Sequence, residues 1–189
     1  MALFILDNDT IFHPLRQDLW YNTFKMPKRP KEIIPETIKM IVFDFDGVFT
    51  NNEVIVNQRG EEMVICNRLD GKGISLLKRL NIPMLIISSE ANPVITARAK
   101  KLNIETIQNV HNKKSKLLGI INQKKINLKN VIYVGNDIDD LECMRIVGCS
   151  VAPADAYPSV IKEADLVLEH NGGKGAIREL ADLIIDKLK

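Results

Sequence analysis

The stretch Met40-Ile41-Val42-Phe43-Asp44-Phe45-Asp46-Gly47-Val48 constrains this chain more than any other. Met40 to Phe43 is short, apolar and partly β-branched, which predicts a buried strand. Side chains alternate along a strand, so positions i and i+2 point the same way. Asp44 and Asp46 are therefore expected side by side at the carboxyl end of a strand. That end is where ligands bind in open parallel sheets. Two adjacent carboxylates repel unless a cation or a shared proton offsets them. A divalent metal is the simplest answer, and oxygen ligands favour magnesium. The alternative is a surface turn with two solvated aspartates, and the apolar run leading into the pair argues against it.

The rest of the chain alternates strand and helix, which predicts an α/β fold with a parallel sheet and right-handed crossovers. Two β-rich runs around a turn at Gly60 predict a hairpin over residues 53–66, directly after the first strand. Its Val54, Val56, Met63 and Ile65 offer apolar surface. A lone hairpin is marginal, so it is expected to pair with neighbouring subunits. Asn67 to Gly73 reads as a polar, glycine-rich loop opening a helix at Ile74. Further strands are expected at 83–87, 104–107, 131–134, 149–152 and 166–168. Helices are expected from Pro93, Lys116, Leu141, Pro158 and Ala176.

Residues 1–39 read as an extension and linker, with the folded domain over 40–189. Asp7 and Asp9 repeat the Asp-x-Asp spacing without the following glycine, which reads as a turn. Trp20, Tyr21 and Phe24 suggest a docking segment. Pro27, Pro30 and Pro35 predict an extended linker ending near residue 36.

Three strand ends join the aspartate pair. Ser88, with Ser89 beside it, ends one strand, and a hydroxyl next to helix-start N–H groups makes a phosphate cradle. Lys113, Lys114 and Lys116 precede a helix, where a lysine can neutralise a transferring phosphoryl group. Gly135-Asn136-Asp137-Ile138-Asp139-Asp140 is an acidic turn after the strand 131–134. The net charge of +2 gives no argument for nucleic acid or a membrane surface. No apolar run approaches the ~20 residues of a membrane span. Three cysteines without a Cys-x-x-Cys pair read as reduced core residues, which suits the cytoplasm.

These motifs together resemble the haloacid dehalogenase-like phosphohydrolases. The resemblance implies a Rossmann-like three-layer fold without a cap domain. It makes Asp44 the nucleophile, Asp46 the general acid and base, and Ser88 the phosphate binder. Lys116 aligns best with the required lysine, and Lys113 is second. In the acidic turn the family's usual form is Gly-Asp-x-x-x-Asp, with the first Asp on magnesium. Asn136 stands at that position, Asp137 is the other candidate ligand, and Asp140 matches the second Asp, bound through water. Residues 40–189 are most similar to the Kdo 8-phosphate phosphatase group and to the nonulosonate 9-phosphate phosphatases. The segments Arg68-Leu69-Asp70-Gly71-Lys72-Gly73 and Gly172-Gly173-Lys174-Gly175 with Arg178 carry this closer likeness. It implies substrate contacts at Arg68, Asp70, Gly71 and Arg178, and a homotetramer centred on the hairpins. It also brings in an alternative, a non-catalytic oligomerisation module of a CMP-N-acylneuraminate cytidylyltransferase, toward which Asn136 leans.

Overall fold

The computed structural model describes residues 30–189. The readings of Asp7, Asp9, Trp20, Tyr21 and Phe24, and of the linker's first part, lie outside the described residues. Strand β1 (Met40–Phe43) is followed by a small antiparallel hairpin of β2 (Ile55–Val56) and β3 (Glu62–Met63). Then come β4 (Met84–Ile87), β5 (Glu105–Ile107), β6 (Val131–Val134), β7 (Cys149–Ala152) and β8 (Leu166–Val167). The helices are α1 (Pro30–Ile33), α2 (Arg68–Arg79), α3 (Pro93–Leu102), α4 (Lys113–Lys124), α5 (Leu141–Met144), α6 (Pro158–Glu163) and α7 (Ala176–Lys187).

Six strands form one parallel sheet in the order β5-β4-β1-β6-β7-β8. From central β1 the chain goes to one side for β4 and β5, then to the other for β6 to β8. That reversal opens a crevice at the carboxyl end of β1. Strands β1, β6 and β7 are buried at every residue, as continuous apolar runs between two helix layers should be. Alternation along β1 divides the core. Ile41 and Phe43 join α2, α3 and α7 through residues such as Leu77, Ile95 and Leu180. Met40 and Val42 face Leu117 and Ile121 of α4 and Met144 of α5. Among the described residues no helix is long and apolar enough to cross a membrane.

Three boundaries differ from the sequence reading. Pro30–Ile33 is a helical turn, which proline permits at a first helical position. Ile34, buried in the same core as α7, follows it, so the packed domain begins before residue 40. The expected loop over 67–73 is also helical. Asn67 caps α2 by accepting the Leu69 N–H at 2.8 Å. The glycines serve packing: a Cβ at Gly73 would lie 2.7 Å from both the Arg178 Cα and the Ile177 carbonyl oxygen. Only glycine lets α2 cross α7 at backbone distance. Finally, α4 starts at Lys113 rather than Lys116, because Asn112 caps it through the Ser115 N–H at 2.8 Å.

Two glycine substitutions should separate packing from propensity. Gly73→Ala is expected to destabilise the fold by about 1–3 kcal/mol through overpacking. Gly119→Ala, in α4 with open space around it, is expected to stabilise by roughly 0.5–1 kcal/mol. Urea denaturation of both variants checks this, and equal midpoints would contradict the close crossing.

Candidate active site

Asp44 and Asp46 converge, but not by sharing a strand pleat. Asp44 stays on the end of β1, its N–H donating to the Val134 carbonyl at 2.8 Å. The chain then makes one helical turn, closed by the Phe49 N–H on the Phe45 carbonyl at 2.8 Å. Stacked Phe45 and Phe49 rings, 5.6 Å apart, fasten this turn to the core. Gly47 has φ +72°, and a Cβ there would come within 1.9 Å of the Asn136 amide. Glycine at 47 is thus what lets the acidic turn after β6 close against the aspartates. The loop Gly172–Gly175 supports it from behind, with the Gly173 N–H on the Val48 carbonyl at 3.0 Å.

Asp44, Asp46, Ser88, Ser89, Lys113, Asn136 and Asp137 line one cleft of about 180 Å³. Asn52, Glu90 and Asp139 complete its wall. Ser88 is buried, its Oγ accepting the Glu90 N–H at 3.1 Å. Lys113 bridges two carboxylates, 2.9 Å from Asp44 Oδ1 and 2.8 Å from Asp140 Oδ1. Lys116, favoured by alignment, is exposed and absent from the cleft wall. The reason is helical phase: Lys113 shares the buried stripe of Leu117 and Ile121, four and eight positions on. That stripe was readable in the sequence and points to Lys113.

The acidic turn divides its labour. Asn136 is buried, and with its amide nitrogen turned inward it donates to Asp44 Oδ2 at 3.2 Å and to the Asp46 carbonyl at 2.7 Å. Asp137, also on the cleft wall, caps the next turn by accepting the Ile138 N–H at 2.6 Å. Asp140, expected to reach the metal through water, has 0% exposure here and both its oxygens accept hydrogen bonds from protein groups. Its Oδ1 accepts from Lys113 and Tyr133, each at 2.8 Å. Its Oδ2 accepts the N–H groups of Asn136 and Asp137 at 2.9 and 3.2 Å. Sequence reasoning missed Tyr133, which looked like one more apolar strand residue.

The remaining expected contacts lie away from the cleft. Asp70 is fully buried and accepts the N–H groups of Gly175, Ile177 and Arg178 at 3.3, 3.0 and 3.4 Å. It caps α7, where a carboxylate suits the helix N-terminus. Gly71 sits inside α2 beside Leu102 and Arg98. Arg178 pairs with Asp182 at 2.9 Å, and Arg68 is exposed. None of these four lines the cleft that holds Asp44.

The charge balance of the cleft asks for a cation. Burial pulls the Lys113 ammonium down, but the charges of Asp44 and Asp140 outweigh it and hold it above its ordinary range. One ammonium cannot neutralise two buried carboxylates. Burial, then the charge of Asp140, push Asp44 up to about 8 against the pull of Lys113. Burial and Glu90 also raise Asp46. Among the described residues no group of three or more His, Cys, Asp or Glu side chains is placed to hold a metal. The fitting donor set is mixed: the Asp44 carboxylate, the Asp46 carbonyl and, with its amide turned over, the Asn136 oxygen. Such hard oxygens suit magnesium.

Residues 81–180 match the haloacid dehalogenase-like hydrolase family. The 3-deoxy-D-manno-octulosonate 8-phosphate phosphatase KdsC of Salmonella typhi is 36% identical over 151 residues, covering 79% of this chain and 80% of the relative. The N-acylneuraminate cytidylyltransferase of Oncorhynchus mykiss is 30% identical over 155 residues, 80% of this chain but only 36% of that protein. The 3-deoxy-D-manno-octulosonate 8-phosphate phosphatase of Moraxella catarrhalis, solved with magnesium, phosphate and KDO, superposes with a TM-score of 0.79 at 28% identity. That superposition covers 84% of this chain and 91% of the other.

Magnesium binding should be proton-linked. Asp44 must be ionised to serve as a ligand, and in the metal-free protein its pKa is raised to about 8. At about pH 6 binding is therefore expected to release roughly one proton, and above about pH 9 almost none, with affinity rising between. Calorimetry in buffers of different ionisation enthalpy measures the release. An affinity that stays flat over this range would contradict the assignment.

Proposed function

Because this chain belongs to the haloacid dehalogenase-like hydrolases and is a phosphatase, we propose that it hydrolyses a phosphorylated keto-sugar acid of the Kdo 8-phosphate or nonulosonate 9-phosphate kind. The observation that carries this reading is Lys113 at 2.9 Å from Asp44, with Asp46 in the same cleft. A carboxylate nucleophile, a carboxylic acid with raised pKa and a fixed ammonium are the parts phosphoryl transfer needs.

In the reading proposed, an Asp44 carboxylate oxygen attacks phosphorus and the bond to the sugar oxygen breaks. Asp46, whose carboxyl is raised above the ordinary range by burial and by Glu90, in its acid form gives its proton to the departing sugar oxygen. Water then attacks the aspartyl-phosphate. Asp46 takes a proton from it, and inorganic phosphate leaves with the Asp44 carboxylate restored. The Ser88 hydroxyl and the Ser89 N–H hold the phosphoryl oxygens, and Lys113 offsets their charge. Asp44, the Asp46 carbonyl and Asn136 would hold magnesium, which when bound supplies positive charge to the transferring group. The sugar enters from the adjoining hollow of about 290 Å³, where Asn52, Val54 and Glu62 face Asp46.

Phosphate release from Kdo 8-phosphate and from nonulosonate 9-phosphates, with magnesium, tests the reading. The expected outcome is turnover of at least one, with Asp44→Asn slower by more than about a thousandfold. The cytidylyltransferase relative and the neutral Asn136 favour a second reading, the non-catalytic oligomerisation module. No release from any of these substrates would select it.

Assembly belongs to the same proposal. Val54, Ile55, Val56, Met63 and Ile65 of the hairpin are each more than half exposed. A two-stranded hairpin with such a surface needs partners, and a homotetramer centred on it supplies them. Light scattering should report four copies at micromolar concentration, and Ile55→Lys with Met63→Lys should shift the mass downward. A wild-type monomer would reject this assembly.

A further inference from the structure

Tyr133 holds a hydroxyl that the proposed chemistry does not yet use. It lies in β6 with 0% exposure, among Val131, Ile132 and Val134, where a phenylalanine would complete the apolar pattern. A buried hydroxyl is costly unless it is hydrogen-bonded. This one donates to Asp140 Oδ1 at 2.8 Å, on the same oxygen that receives Lys113 Nζ at 2.8 Å. The other oxygen of Asp140 is held by two backbone N–H groups of the Asn136 turn. Lys113 in turn reaches Asp44 at 2.9 Å.

We propose that Tyr133 is a positioning residue for phosphoryl transfer, its hydroxyl fixing Asp140 Oδ1 and thereby the point at which Lys113 meets Asp44. This rests on the phosphatase reading of the same cleft. A lysine ammonium sits on a flexible four-carbon stem and has no preferred direction of its own. Its position is set by the acceptors it finds. With Tyr133 and Lys113 sharing Oδ1, the ammonium is left free to face Asp44. Remove the hydroxyl, and Oδ1 has Lys113 as its sole donor. A buried acceptor short of donors draws the ammonium toward itself, away from the nucleophile. Because the ring of Tyr133 packs with Val42 and Leu117, its own position is fixed by the core rather than by the site.

The test is Tyr133→Phe in the full chain with magnesium, using para-nitrophenyl phosphate and Kdo 8-phosphate. The expected result is a kcat lower by about tenfold with KM within about twofold, the signature of a misplaced catalytic group rather than lost binding. The readout independent of activity is the Lys113 ζ-ammonium signal in lysine-labelled NMR spectra, identified by its loss in Lys113→Met. It should shift and exchange faster in Tyr133→Phe. If that variant does not fold, 4-fluorophenylalanine at 133 keeps the volume, removes the donor and should give the same pattern. A kcat within about twofold of wild type with the lysine signal unmoved overturns the proposal. So does a fall in kcat that only follows a loss of folded protein. A wild type that turns over neither substrate defeats the phosphatase reading, while the lysine signal still decides whether Tyr133 places Lys113.

Discussion

Lys113 lies between Asp44 and Asp140, and the arrangement of the cleft follows from that bridge. Two buried carboxyl groups there share one buried ammonium. Asp140 satisfies its share with Tyr133 and two backbone N–H groups. Burial, then the charge of Asp140, make Asp44 hold its proton more tightly against the pull of Lys113, and Asp44 lines the cleft. A nucleophile, a need for a cation and a rigid turn all come from one shortage of positive charge.

Backbone contacts hold this arrangement in register. Gly47 leaves room for Asn136, and the Gly173 N–H ties the terminal loop to the same catalytic turn. Asp70 then anchors α7 to α2. Of the two glycine-rich segments, Gly172 and Gly173 come close to the backbone of the turn 44–50, and Gly73 lets α2 lie against the start of α7. This division has a physical basis. A site that must hold a strained charge balance needs stiff supports, and close backbone crossings are stiffer than side-chain contacts.

Asn136 sets the character of the metal position. A carboxylate there would add a third negative group beside Asp44 and Asp46. The amide brings no charge and can face its neighbours with either end. Turned one way it donates to Asp44 and to the Asp46 carbonyl, and turned the other it offers an oxygen. The cleft can therefore hold its shape without a cation, a property that two or three converging carboxylates would not have.

The sequence by itself determined the parallel α/β sheet, the central strand ending in Asp44, the inserted hairpin and the cleft at Ser88 and Asn136. These rest on local signals: apolar runs of strand length, alternation with helices, and turn residues at strand ends. The helix stripe shared by Lys113, Leu117 and Ile121 was equally local, and it outweighs alignment in choosing the lysine. Only the tertiary structure decided what Asp70, Gly71, Arg178, Asp140 and Tyr133 do. Asp70 meets residues more than a hundred positions away. A buried carboxylate looks the same in a sequence whether it faces a cation, a helix end or a lysine. Which donors reach it depends on how β6, α4 and α7 pack around β1, and that packing is a property of the whole core.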